Sequence, residues 1–199
     1  MSIKSKRLLA RAKKLFAKGK IKESESIYLD ILSSSPENTE AKDGLLMIEK
    51  NRNKAVLPMN DIQSSVSFAN SGHIKEALDI VEPLIKNFPN EPLLFNIRGV
   101  CNKTIQEYRD AVGDFSQAVK LNPGYAEAYY NLGVTYVELG EVENAIKAYK
   151  NALSINNNYP TAQNNLGQIL FLKGEFNASI DHLEWAVALK PDFAEAHNN

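Results

Sequence analysis

The residues best suited to acid–base, nucleophilic or metal chemistry are three histidines and one cysteine, and their spacing assembles none of it. His73, His182 and His197 lie far apart, with no second histidine or cysteine at ligand spacing, so each reads as a surface histidine. Cys101 reads as a small buried apolar side chain. There is no phosphate-cradling glycine loop and no serine elbow, and the carboxylates are scattered and solvating. Catalysis, a cofactor and a bound metal are therefore not expected. What does recur is an amide. Asn131, Asn165 and Asn199 stand at intervals of 34 residues. A side-chain amide both donates and accepts. A row of them can hold an extended peptide backbone whatever its side chains, or can bond from one structural unit to the next.

The 34-residue interval runs through most of the chain. Laid out at that period, the sequence gives contiguous units 58–91, 92–125, 126–159 and 160–193, with 5–38 upstream in the same internal register. Position 8 holds Ala12, Ser65, Gly99, Gly133 and Gly167, and position 20 holds Ser24, Ala77, Ala111, Ala145 and Ser179. Two columns of small residues suit two helices that cross closely. Positions 24 and 27 carry an apolar stripe at helical spacing, for example Tyr149 with Ala152. Position 15 is Gly19, Gly72, Gly140 and Gly174, with Gln106 the exception, and a glycine there ends the first helix because it accepts positive φ. Position 32 is proline except at Asn157, and proline just past a helix end stops its continuation. Each unit is thus a hairpin of two helices, roughly 14 residues each on this reading of the turn positions. One such hairpin cannot bury its apolar faces alone, so neighbours must stack.

Unit 126–159, "AEAYYNLGVTYVELGEVENAIKAYKNALSINNNY", resembles a tetratricopeptide repeat column for column through Tyr129, Leu132, Gly133, Tyr136, Gly140, Ala145, Tyr149 and Ala152. Unit 92–125 departs from the pattern at Arg98, Asn102 and Gln106, and unit 58–91 at Asp61, Ser64 and Ser65. The resemblance implies an all-α, right-handed superhelical solenoid of antiparallel helix pairs. It also implies that first helices line a concave groove through positions 2, 5, 6, 9, 12 and 13. Carried onto this chain, those positions include Asn96, Val100, Glu127, Tyr130, Asn131, Val134, Thr161, Asn164, Asn165, Gln168 and Asn199. The lining is mostly apolar or amide. It lacks the lysine and arginine set with which related co-chaperones grip a C-terminal carboxylate, so that clamp is not expected. The asparagine row and the phrase "AEAHNN" are similar to the repeat region of the protein O-GlcNAc transferases.

Nine of the 23 basic residues fall within residues 1–22, which contain no acid, leaving 14 basic against all 24 acidic residues elsewhere. Residues 3–18 form a basic amphipathic helix through Leu8, Leu9, Ala12, Leu15 and Phe16. Its matches to the repeat columns imply that the apolar face packs inward, so nucleic-acid or membrane contact by residues 1–22 is not expected. A single cysteine fits a reducing compartment, and a cytoplasmic placement is expected.

Residues 39–57 break the period. "TEAKDGLLMIEKN" supplies one amphipathic helix, with Ala41, Leu45, Ile48 and Met47 on one face, where a repeat would supply two. The expected organisation is a first repeat plus one extra helix over 1–52, a hinge at 53–57, four tandem repeats over 58–193, and the start of another at 194–199. Alternatively, the 39–52 helix is the first helix of a degenerate repeat. Pro83 falls inside a second helix, where a local kink is expected. Trp185 is either a partner anchor or packs beneath further residues. The closing "FAEAHNN" opens a repeat that is cut short, so the last hairpin, with Ile180, Leu183 and Val187, is expected to fray after about Pro191 or to self-associate.

The functional expectation is a scaffold that binds a protein or peptide segment in the groove. The other reading is the N-terminal recruiting region of a larger bacterial enzyme of sulfotransferase, glycosyltransferase or oxygenase type, with catalysis elsewhere.

Overall fold

The computed structural model describes residues 3–52 and 57–199. Twelve helices and no strand occur among the described residues: α1 Ile3–Ala17, α2 Ile21–Ser34, α3 Thr39–Arg52, α4 Met59–Asn70, α5 Ile74–Asn87, α6 Pro92–Thr104, α7 Tyr108–Leu121, α8 Ala126–Glu138, α9 Val142–Ile155, α10 Pro160–Leu172, α11 Phe176–Leu189 and α12 Ala194–Asn198. The chain divides into two compact units between Leu57 and Pro58. The hinge expected at 53–57 falls almost wholly outside the described residues.

In the first unit, α1 packs on α2, and α3 packs on both. Leu9, Ala12, Tyr28, Ile31, Ala41 and Ile48 form its core, with Leu8, Phe16 and Leu45 against them. The apolar face of the basic helix is thereby used up. Met47, expected on the inner face of α3, is 61% exposed instead. Gly44 takes the inner place, and the Tyr28 ring lies where a Cβ would be. Gly44 is sixteen residues after Tyr28, as Asn165 is after Tyr149. The α2–α3 connection also matches the α7–α8 connection in length. In these two respects the extra helix is placed like the first helix of a repeat.

The second unit is a stack of hairpins, α4/α5, α6/α7, α8/α9 and α10/α11, each second helix resting on the next first helix. Gly72, Gly140 and Gly174 turn the hairpins at φ of 80°, 72° and 80°. At the Gly140 turn, Glu141 N–H reaches back to the Tyr136 carbonyl at 2.8 Å, capping α8. Gln106 makes the same turn at φ 65°, a conformation costly for a side chain with a Cβ. Close crossing does require the small column. A Cβ on Gly133 would lie 2.5 Å from the Tyr149 ring, and one on Gly99 2.6 Å from Phe115. Where position 20 is serine, its hydroxyl donates to the position 8 carbonyl across the crossing: Ser24 to Ala12 at 2.9 Å and Ser179 to Gly167 at 2.8 Å.

The departures from the pattern have local answers. Arg98 Nε donates to both Asp114 carboxylate oxygens at 3.0 Å, and Asn102 Nδ2 donates to Oδ2 at 2.9 Å. Asp114 is 5% exposed, so this polar trio replaces the apolar packing that Leu132 makes with Ala148 one repeat later. Asn157, in the place of proline, accepts from Gln163 Nε2 through its side-chain oxygen at 3.1 Å. The helix α5 runs unbroken through Pro83.

Candidate ligand groove

First helices lie side by side in the second unit, α4 against α6 and α6 against α8. At position 9 they present Val66, Val100 and Val134 in a row, and at position 12 Val137 and Phe171, which are 44% and 52% exposed. A row of apolar side chains held by rigid helices, at the repeat spacing, is a surface that a long flexible ligand can cover.

Among the residues expected to face a ligand, Glu127 and Asn199 are exposed. Val100, Tyr130, Val134, Thr161, Asn165 and Gln168 are half-buried, and Asn96, Asn131 and Asn164 are buried. The reason for that burial is hydrogen bonding between repeats. Asn131 Nδ2 donates to Asn96 Oδ1 at 3.0 Å, Asn199 Nδ2 to Asn164 Oδ1 at 2.9 Å, and Asn165 Nδ2 to Tyr149 Oη at 3.3 Å. Each amide nitrogen of the recurring row is therefore given to the preceding hairpin. Of the two uses open to such a row, the structure displays the bond from unit to unit.

A cavity of about 280 Å³ opens on this face. Val66, Ala69, Leu93, Ile97 and Val100 supply its apolar lining, and Asn70, Asn96, Tyr125 and Glu127 its polar lining. Asn96 is pinned there by donating to Glu127 Oε1 at 3.3 Å while accepting from Asn131. Tyr125 was not singled out from the sequence. It stands at the last position of its unit, as Tyr159 does, and both rings come from the turn before a first helix. The Tyr130 and Tyr159 rings approach to 4.9 Å between centroids, and Tyr130 and Tyr149 to 5.9 Å. Burial first, then the Glu127 charge, pushes the Tyr125 phenol up to about 12. Burial, with Tyr130, Glu127 and Tyr125 nearby, does the same for Tyr159, also to about 12. These phenols stay neutral hydrogen-bonding groups. Burial lowers the Lys103 pKa against the opposing pull of Glu138.

His182 is a correction. It was read as a surface histidine, but it is half-buried, with Nδ1 2.6 Å from Gln163 Oε1. Because Gln163 Nε2 donates to Asn157, its oxygen accepts, and His182 carries the proton on Nδ1. His73 is the residue that opens α5, beside the edge of the Phe68 ring. The His197 side chain lies outside the described residues. Cys101 is fully buried. Among the described residues no group of three or more histidine, cysteine, aspartate or glutamate side chains is placed to hold a metal, and no helix is long and apolar enough to cross a membrane.

At the C-terminal end Ile180 is 53% exposed, whereas Ile146, its counterpart one repeat earlier, is 7% exposed. The short α12 covers part of the last hairpin: Leu183 and Val187 are half-buried, Ala196 is buried and Trp185 is 46% exposed.

Comparison with known proteins gives three results. A family model described as TPR repeat matches residues 105–140 and 135–174, and one described as tetratricopeptide repeat matches 160–193. Over 136 residues the chain is 26% identical to DnaJ homolog subfamily C member 3 of Gallus gallus; the match covers 66% of this chain and 25% of that protein, so the chain spans about a quarter of the length of the curated relative. Among solved structures, MamA superposes with a TM-score of 0.61 at 22% identity over 98% of both chains. YrrB, described as a TPR protein with an unusual peptide-binding site, superposes with a TM-score of 0.59 at 17% identity, over 96% of this chain and 89% of its own. At these identities the structural likenesses speak for the fold.

Proposed function

The chain belongs to the tetratricopeptide repeat family, and from that premise we propose that it is an interaction scaffold that binds an extended protein segment along the first helices of its second unit. The observation that carries this reading is the row Val66, Val100 and Val134, one side chain per repeat, beside a cavity of mixed apolar and polar lining. Buried apolar side chains would normally give a helix of this kind its stability. Here solvent reaches apolar side chains on three successive first helices, where bound ligand would recover the burial. YrrB, which shares this architecture and is described as having a peptide-binding site, supports the same use. Groove residues Tyr130, Thr161, Asn165, Gln168 and Asn199 extend the proposed contact toward the C-terminal repeats.

Panning a displayed peptide library on the full chain tests this. Val134→Asp should abolish capture of the selected peptides, because a carboxylate is placed in the apolar row. Lys147→Glu, on the exposed side of α9, should leave capture unchanged. Equal capture by both variants would refute the groove.

A further inference from the structure

The cavity beside Glu127 has a chemistry specific enough to name part of its ligand. Its wall is mainly aliphatic, from Val66, Ala69, Leu93, Ile97 and Val100, with Asn70 also on the lining. At about 280 Å³ it lies just under the usual range for small-molecule sites, a size that suits one side chain of a larger ligand. Its polar lining carries one anion. The Glu127 carboxylate is exposed, and its hydrogen-bond partner is the neutral amide of Asn96 at 3.3 Å. No ion pair among the described residues involves Glu127. Lys103, on α6, is half-buried and feels Glu138. Tyr125 lines the cavity with Glu127, and the Tyr130 and Tyr159 rings pack 4.9 Å apart on the same stretch of the unit; the Glu127 charge helps to raise the Tyr125 and Tyr159 phenols. A carboxylate without a counter-ion beside aromatic faces attracts a cation both by charge and through the ring quadrupoles.

We propose that this site reads a pair of residues in the bound segment: an aliphatic side chain that fills the cavity, and a lysine or arginine next to it whose cation rests between Glu127 and the tyrosine rings. The proposal rests on the groove reading above and adds the ligand class to it. An acidic residue in the second place is repelled by Glu127, and a polar residue in the first leaves the cavity unfilled.

The test measures binding of labelled extended peptides to the full chain by fluorescence polarisation. The peptides carry Leu-Arg, Leu-Gln, Leu-Glu or Ser-Arg at one central pair. The expected order places Leu-Arg first and Leu-Glu last. Glu127→Gln should weaken Leu-Arg by about tenfold, the scale of a charge-assisted contact, and leave Leu-Gln unchanged. Ala69→Phe should fill the cavity and erase the preference of leucine over serine, with circular dichroism confirming the fold. If Leu-Arg and Leu-Gln bind alike, or if Glu127→Gln leaves Leu-Arg unchanged while Val134→Asp abolishes binding, the inference fails and the groove reading stands. If peptides bind and Val134→Asp does not weaken them, the groove reading fails with it. A chain that captures no peptide from the library overturns both.

Discussion

Asn131 donates its side-chain amide to Oδ1 of Asn96, at 3.0 Å and across 35 residues of sequence. Asn199 repeats the relationship with Asn164 at 2.9 Å, over the same separation. Position 6 of one repeat thus bonds to position 5 of the repeat before it. Where position 5 is Tyr130, Asn165 reaches Tyr149 Oη on the same preceding hairpin instead. The bond joins repeats, so it strengthens the interface on which a solenoid's cooperativity depends.

Asn131→Ala should therefore act on stability. It leaves Asn96 without its buried donor, at a cost of about 1–2 kcal/mol. Urea unfolding should show a lower midpoint. An unchanged midpoint, with ligand binding lost, would mean that the amide serves the groove alone.

Asp114→Ala should be among the costliest single changes. It leaves the Arg98 guanidinium, which is partly buried, without its carboxylate, for about 3 kcal/mol. Replacing the whole trio by apolar residues, with Arg98→Leu, Asn102→Leu and Asp114→Ala, should recover most of that loss, because the next repeat packs Leu132 against Ala148 in the same place. Thermal unfolding of the single and triple variants distinguishes the two outcomes.

Gln106→Gly should stabilise. The turn already holds φ at 65°, and glycine adopts that conformation without the side-chain penalty, for a gain of about 1 kcal/mol. Gly133→Ala should do the opposite, by about 1–3 kcal/mol, since its Cβ would meet the Tyr149 ring. A Gln106→Gly chain that unfolds at lower denaturant would contradict the first expectation.

Stability should fall on mild acidification, in a step that His182 supplies. Its folded pKa lies below the ordinary 6.5, chiefly through burial and then Lys150, with Asp181 opposing. The unfolded chain therefore takes up this proton before the folded chain does, and stability drops as pH falls from 6.5 toward the lowered value. Below that value the contribution is flat. His182→Gln should remove the step from a plot of unfolding free energy against pH.

The helices and turns were legible because their causes are local. Gly19, Gly72, Gly140 and Gly174 mark turns, and the small column marks crossings, whatever the neighbours do. The role of Asn131 was ambiguous because a free amide and a bonded one have the same letter, and only the position of Asn96 on the adjacent helix decides between them. His182 was misread for the same reason: its partner Gln163 lies on a different helix. Tyr125 escaped notice because it stands in a turn, outside the helical face from which the groove was read. The departures at Arg98 and Asn102 were visible, but Asp114, which explains them, lies in the second helix of the unit, where a lone acid looks like one more solvating charge.

Repeats built on one pattern carry a hazard: any second helix can, in outline, fit any first helix. A second helix folded back on the wrong first helix would still match apolar face to apolar face. The Arg98–Asp114–Asn102 trio forbids that substitution. With α9 in place of α7 as the hairpin partner of α6, Arg98 would face Ala148, and with α7 in place of α9 as the hairpin partner of α8, Asp114 would face Leu132. Either arrangement strands a charge in an apolar seam. This polar crossing thus serves as an address, and it makes the pairing of α6 with α7 part of what the sequence encodes.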